Sequence, residues 1–128
     1  VPNSANAIAE FSSKNPFTNG VNLGGGPFLI RELNIWNSGG MGWTFEYGTL
    51  VFSPGGRIII ENRADIFPIL DNGNFELSGP VTMTVMAGGR FLSNPAGIIS
   101  GPGSLTIEGA GETVFKGLNT YTGGTVIN

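Results

Sequence analysis

The chain has 128 residues, of which 22 are Gly and 8 are Pro, while 40% are apolar. That length suits one domain with its own core, and a Gly and Pro share this high alongside so much apolar residue describes a chain that folds and turns often. Only 12% of residues are charged, with a formal balance of −3 and no Cys or His. A nucleic-acid partner is therefore not expected, disulfides and thiolate metal sites are excluded, and the commonest general base is missing.

No apolar run approaches the ~20 residues that span a bilayer, so membrane insertion of this segment is not expected. The start at Val1 shows neither a charged n-region nor an apolar h-region. An export signal, if the protein has one, would be removed already or lie outside this sequence.

Residues 1–20 read as a lead-in or capping segment, with Ile8 and Phe11 the large apolar residues of its first half. Residues 21–128 read as the main body. Asn15 to Gly20 and Gly24 to Pro27 carry turn chemistry. Phe28 to Trp36 is the first convincing strand, with Leu29, Leu33 and Ile35 in imperfect alternation, so that its register is open by one residue. Asn37 to Gly42 is a loop long enough to project. Trp43 to Phe52 reads as two short strands split at Gly48, with Trp43, Phe45 and Tyr47 on one face and Leu50 with Phe52 on the next.

Ser53 to Gly56 predicts a turn into Arg57 to Arg63, where Ile58 and Ile60 point inwards and Ile59 outwards. Pro68 makes Asp65 to Leu70 a bend or an edge. Asp71-Asn-Gly-Asn74 predicts a turn with a left-handed position at Gly73. Phe75 to Leu77 and Val81 to Met86 are the cleanest strands, with Val81, Met83 and Val85 on one side and Thr82 and Thr84 on the other. No stretch of ten residues keeps a 3.6 period, which predicts essentially no helix.

The last quarter organises the rest. Short apolar alternations at Leu105 and Ile107, at Phe115, and from Thr125 to Ile127 are punctuated by Gly or by Asn-Thr, and Gly103 and Gly124 open similar triplets 21 positions apart. A spacing near twenty is the signature of a solenoid. The fold class read from this is all-β: a β-solenoid of about five coils. The motif runs over 103–128, with Leu105, Gly109, Gly111, Phe115, Gly117, Asn119, Tyr121, Gly123 and Gly124 in structural roles. An inward Asn119 could bond orphaned backbone groups, and Tyr121 could cover the adjacent coil.

These residues also resemble the autotransporter-associated beta strand repeat, most specifically over the run Asn119-Thr-Tyr-Thr-Gly-Gly-Thr125. Phe115 stands where that pattern has a small aliphatic residue, and Glu112 is an extra polar residue before Thr113. Residues 1–11 look like the stretch that opens such repeat regions in large secreted bacterial proteins. The resemblance implies a right-handed parallel β-helix outside the cell and implies no activity.

Nine carboxylates are scattered singly, apart from Glu61 and Asp65 near Arg57 and Arg63, whose simplest role is a solvated rim of ion pairs. Asp71 to Asn74 lacks the closing carboxylate of an EF-hand, and Gly24 to Gly26 lacks the Lys and helix of a phosphate cradle. No catalytic residue, metal or cofactor is expected. The first functional reading is an extracellular, non-catalytic rod, stalk or filament unit that self-associates through open solenoid edges. The second is a polysaccharide-binding or polysaccharide-cleaving β-helix using Trp36, Trp43 and Tyr47 as sugar platforms, with Glu46 or Glu61 nearby and Ile59 as a further partner contact. An autotransporter adhesin passenger is the third.

Overall fold

The computed structural model describes residues 3–13, 19–24, 26–37, 43–61 and 69–128. Within them lie eleven strands and no helix: β1 (Ile8–Ser13), β2 (Asn19–Asn22), β3 (Phe28–Asn37), β4 (Trp43–Ile60), β5 (Leu70–Leu77), β6 (Val81–Val85), β7 (Arg90–Ser93), β8 (Ile98–Ser100), β9 (Leu105–Glu108), β10 (Glu112–Phe115) and β11 (Thr125–Ile127). Every pairing is parallel. The chain is a β-solenoid of about four turns, close to the five expected, with a partial turn at each end.

Each turn has three faces. Face A stacks β1, the second half of β3, the end of β4, β6, β9 and β11. Face B stacks β2, the start of β4, the start of β5, β7 and β10. Face C stacks the first half of β3, the middle of β4, the second half of β5 and β8. On face A one outward column runs Ile8, Glu32, Arg57, Thr82, Thr106, Val126. Its steps are 24 or 25 residues long and fall to 20 at the last.

Alternation decides what enters the core, because successive residues of a strand point to opposite faces. On face A the inward column is Ala9, Leu33, Ile58, Met83 and Ile107, followed by that of Ile35, Ile60 and Val85, all buried. The alternations at 58–60 and 81–85 therefore hold, with Ile59, Thr82 and Thr84 only half-buried outside. Leu50, Phe75 and Ile99 form the corresponding column on face C. Along the axis the core contains a run of Phe rings. Centroid separations are 5.1 Å for Phe11 and Phe45, 5.8 Å for Phe45 and Phe75, 6.4 Å for Phe75 and Phe91, and 5.7 Å for Phe91 and Phe115. Such separations suit edge-to-face pairs, each adding about 0.5–1.5 kcal/mol beyond area burial.

Three local expectations are corrected. Asp71 to Asn74 does not break the chain with a left-handed residue: β5 runs on through it from face B to face C, Asn72 pairs with Glu46 and Asn74 with both Thr49 and Ile98, and Gly73 has no positive φ. At Asn72 and Asn74 partners on neighbouring coils supply ladder bonds that outweigh local turn preference. Gly48 and Ser53 to Gly56 lie within the single long β4, yet the chain changes face at both, with a register shift between Glu46 and Thr49 and a φ of 77° at Gly55, so the split at Gly48 and the turn at 53–56 hold as corners. The alternation of β3 slips at Arg31, an extra residue whose amide and that of Glu32 both donate to Ala7 O, at 2.8 and 3.2 Å. Ile30 rather than Leu29 is therefore buried. Finally, Tyr47 does not share the inward face of Phe45: its φ of 52° turns it out, 56% exposed, while Phe45 is buried.

The turn expected at 15–18, the loop at 38–42 and the bend around 65–68 lie outside the described residues.

Candidate functional site

The three corners of the solenoid are built differently. At the corner from face C to face A, Gly79, Gly103 and Gly123 stack: Gly103 N donates to Leu77 O at 2.8 Å and Gly123 N to Gly103 O at 3.1 Å. A Cβ on Gly103 would land on the Gly79 carbonyl oxygen. The repeat thus matches Gly103 to Gly123, 20 residues on, rather than to Gly124.

At the corner from face A to face B the length of the connections changes along the axis. These are five, five and nine residues long on the first three coils, between β1 and β2, within β3 to β4, and between β4 and β5. They shorten to four and three residues between β6 and β7 and between β9 and β10. At this corner Glu61 N donates to Ile35 O and Met86 N to Ile60 O, both at 2.9 Å. These bonds align Trp36, Glu61 and Met86 in one column on consecutive coils. Trp36 is 43% and Met86 42% exposed, with Glu61 half-buried between them.

Of the residues singled out in the sequence as contacts, the fold therefore separates the set. Trp36 and Glu61 share a corner. Tyr47 lies on the opposite side of face B, at its junction with face C, so it belongs to no common platform with Trp36. Ile59 sits half-buried in the outward column of Asn34 and Thr84. Trp43 opens β4 with its backbone paired to Asn19, and its side chain lies outside the described residues. Met86 was not singled out. Its position one residue past a clean alternation is the signal that could have found it.

The repeat-motif residues do structural work. Leu105 is buried, Phe115 packs on Phe91, and Gly109 adopts a φ of 101° with its Cα against the Val85 carbonyl. Gly111 and Gly117 press on the backbone of the preceding coil, at Gly89 and Gly97 respectively, and Gly124 has a φ of 83°. Asn119 Oδ1 accepts the amide of Ile99 at 3.0 Å, across one coil. Tyr121 packs against the core and its hydroxyl hydrogen-bonds Thr125 Oγ1. Asn119→Ala leaves the Ile99 amide without that acceptor. A loss of about 1–3 kcal/mol is expected in urea denaturation, with Asn119→Asp retaining most of it.

Four of the described carboxylates have side-chain partners, each a different one. Glu32 lies 3.9 Å from Arg57 and accepts from Asn34 Nδ2 at 2.8 Å. Glu108 accepts from Thr84 Oγ1 at 3.0 Å, and Asp71 from Asn94 Nδ2 at 2.5 Å. Glu112 lies 2.7 Å from Arg90 Nε, an ion contact without hydrogen-bond alignment. Arg57 thus turns to Glu32 rather than Glu61, while Arg63 and Asp65 lie outside the described residues. Among the described residues no three of Asp and Glu gather as a metal ion would require, and no helix is long and apolar enough to cross a membrane.

The final coil holds a hollow of about 280 Å³ lined by Ile107, Phe115 and Ile127, beside the glycines at 109 and 111. Ile127 is 77% and Val126 54% exposed. No family model matches the chain, and no similar curated protein or solved structure was found.

Proposed function

We propose that this chain is a non-catalytic structural β-solenoid, a rod or stalk segment on the outside of a bacterial cell that associates end to end. The observation that carries the reading is the continuous inward ladder, from Ala9 on the first coil to Ile107 on the last full one, closed at the corners by glycines packed backbone on backbone. Most large apolar side chains serve that ladder, and among the described residues no three carboxylates gather at one place. The likeness of Asn119 to Thr125 to an autotransporter-associated repeat supports the extracellular placement. End-to-end association is supported by the exposed Val126 and Ile127 beside the apolar hollow, a surface that a further coil stacked on β11 would cover, whether from a second copy or from a continuation of the chain.

Light scattering over a rising concentration series tests the association. The mass is expected to grow with concentration and to stay at that of one chain when Val126→Lys is combined with Ile127→Lys. A wild-type chain that remains monomeric throughout would remove self-association from the reading. Antibody labelling of intact bacteria expressing the native gene tests the placement, and signal only after lysis would overturn it.

A further inference from the structure

We propose that the corner between faces A and B binds a neutral polysaccharide strand, with the Trp36 ring as a stacking platform and the Glu61 carboxylate accepting hydroxyl hydrogens one coil away. This reading is independent of whether the chain is a rod. The ladder bonds from Glu61 N to Ile35 O and from Met86 N to Ile60 O fix the three residues at successive steps of about 4.8 Å. A pyranose ring is about as wide as that step. One ring face is largely C–H and matches the exposed indole, while its equatorial hydroxyls need acceptors such as a carboxylate. Met86, two coils from Trp36, offers a second apolar contact on the same line.

Three features select this class of ligand. Among the described residues the column has two exposed large apolar side chains, Trp36 and Met86, too few to build the ~1,200 Å² of a specific protein interface. A carboxylate at its centre on a chain of formal charge −3 disfavours an acidic polysaccharide. The residues stand on or directly beside paired strands, so the ladder presents the site in one arrangement and little ordering entropy is lost on binding. Glu61, between two apolar residues on a core ladder, has no salt bridge among the described residues.

Calorimetric titration of the whole chain with cellohexaose, xylohexaose, mannohexaose and chitohexaose, and with oligogalacturonate as the acidic comparison, is the test. Saturable binding of at least one neutral hexaose is expected. Trp36→Ala should weaken it tenfold or more, Trp36→Tyr should retain most of it, and Glu61→Gln should weaken it several-fold. Tyr47→Ala, at the other corner, should leave it unchanged. Melting curves of each variant check the fold, and Trp36→Tyr keeps the test decisive should Trp36→Ala fail to fold. No binding to any neutral hexaose, tighter binding of oligogalacturonate, or binding indifferent to both Trp36→Ala and Glu61→Gln in folded protein would overturn the proposal.

Discussion

Gly103→Ala is expected to cost about 4 kcal/mol or more, a large part of the 5–15 kcal/mol that holds a typical domain together. The added methyl would lie 2.0 Å from the Gly79 carbonyl oxygen, 2.7 Å from Gly79 C and 2.8 Å from Leu77 Cβ. Two of these are backbone atoms of the coil beneath, held by the ladder on both sides, so no rotamer change relieves the clash. Moving Gly103 away would weaken its bond to Leu77 O and the one it accepts from Gly123. Gly103 has no positive φ, so the effect is one of space alone. Gly55→Ala is the counterpart: its φ is 77° and a Cβ would meet nothing within 4 Å. The expected cost there is about 1–2 kcal/mol. Thermal and urea melts followed by circular dichroism separate the two. Equal losses would show that conformation, rather than close approach, governs the corners.

The second large effect is expected at Phe75. Its ring is fully buried and meets Phe45 at 5.8 Å, Phe52 at 5.3 Å and Phe91 at 6.4 Å, joining aromatic rings from all but the outermost coils. Phe75→Ala is expected to cost about 3–5 kcal/mol through lost transfer energy and a residual cavity. Phe75→Leu, which refills most of the volume, should cost markedly less. Thr106→Ala, in an outward column of face A, should stay within about 0.5 kcal/mol. Comparable losses for Phe75→Ala and Thr106→Ala in urea denaturation would refute the inward assignment of the Phe run.

The strands that carry most of face A were legible because their alternation is uninterrupted: Val81, Met83 and Val85, or Ile58 and Ile60, have one consistent side. The solenoid itself was legible in the glycine spacing of the last quarter, within one residue. What could not be read lay where a local preference competes with a distant partner. Asp71-Asn-Gly-Asn74 has turn composition, yet its residues pair with Glu46, Thr49 and Ile98, none of them near in sequence. The slip at Arg31 depends on Ala7 O accepting two amides, which no pattern within β3 announces. On face B, Leu92 and Ser93 are adjacent and both buried, so a strict period of two could not have placed them. For the candidate site, Trp36 and Glu61 were each visible as residue types. Their juxtaposition was not, because it rests on a register between residues 25 apart.

The exclusively parallel stacking has a consequence for how order is lost. Each strand is bonded to the coils directly above and below and to nothing further off, so the molecule behaves as a short column of coupled units. Opening should begin at the two extremities and advance inwards as a front. Amide deuterium uptake should accordingly be earliest at Val126 and latest around Phe52 and Phe75, grading between them instead of switching all at once.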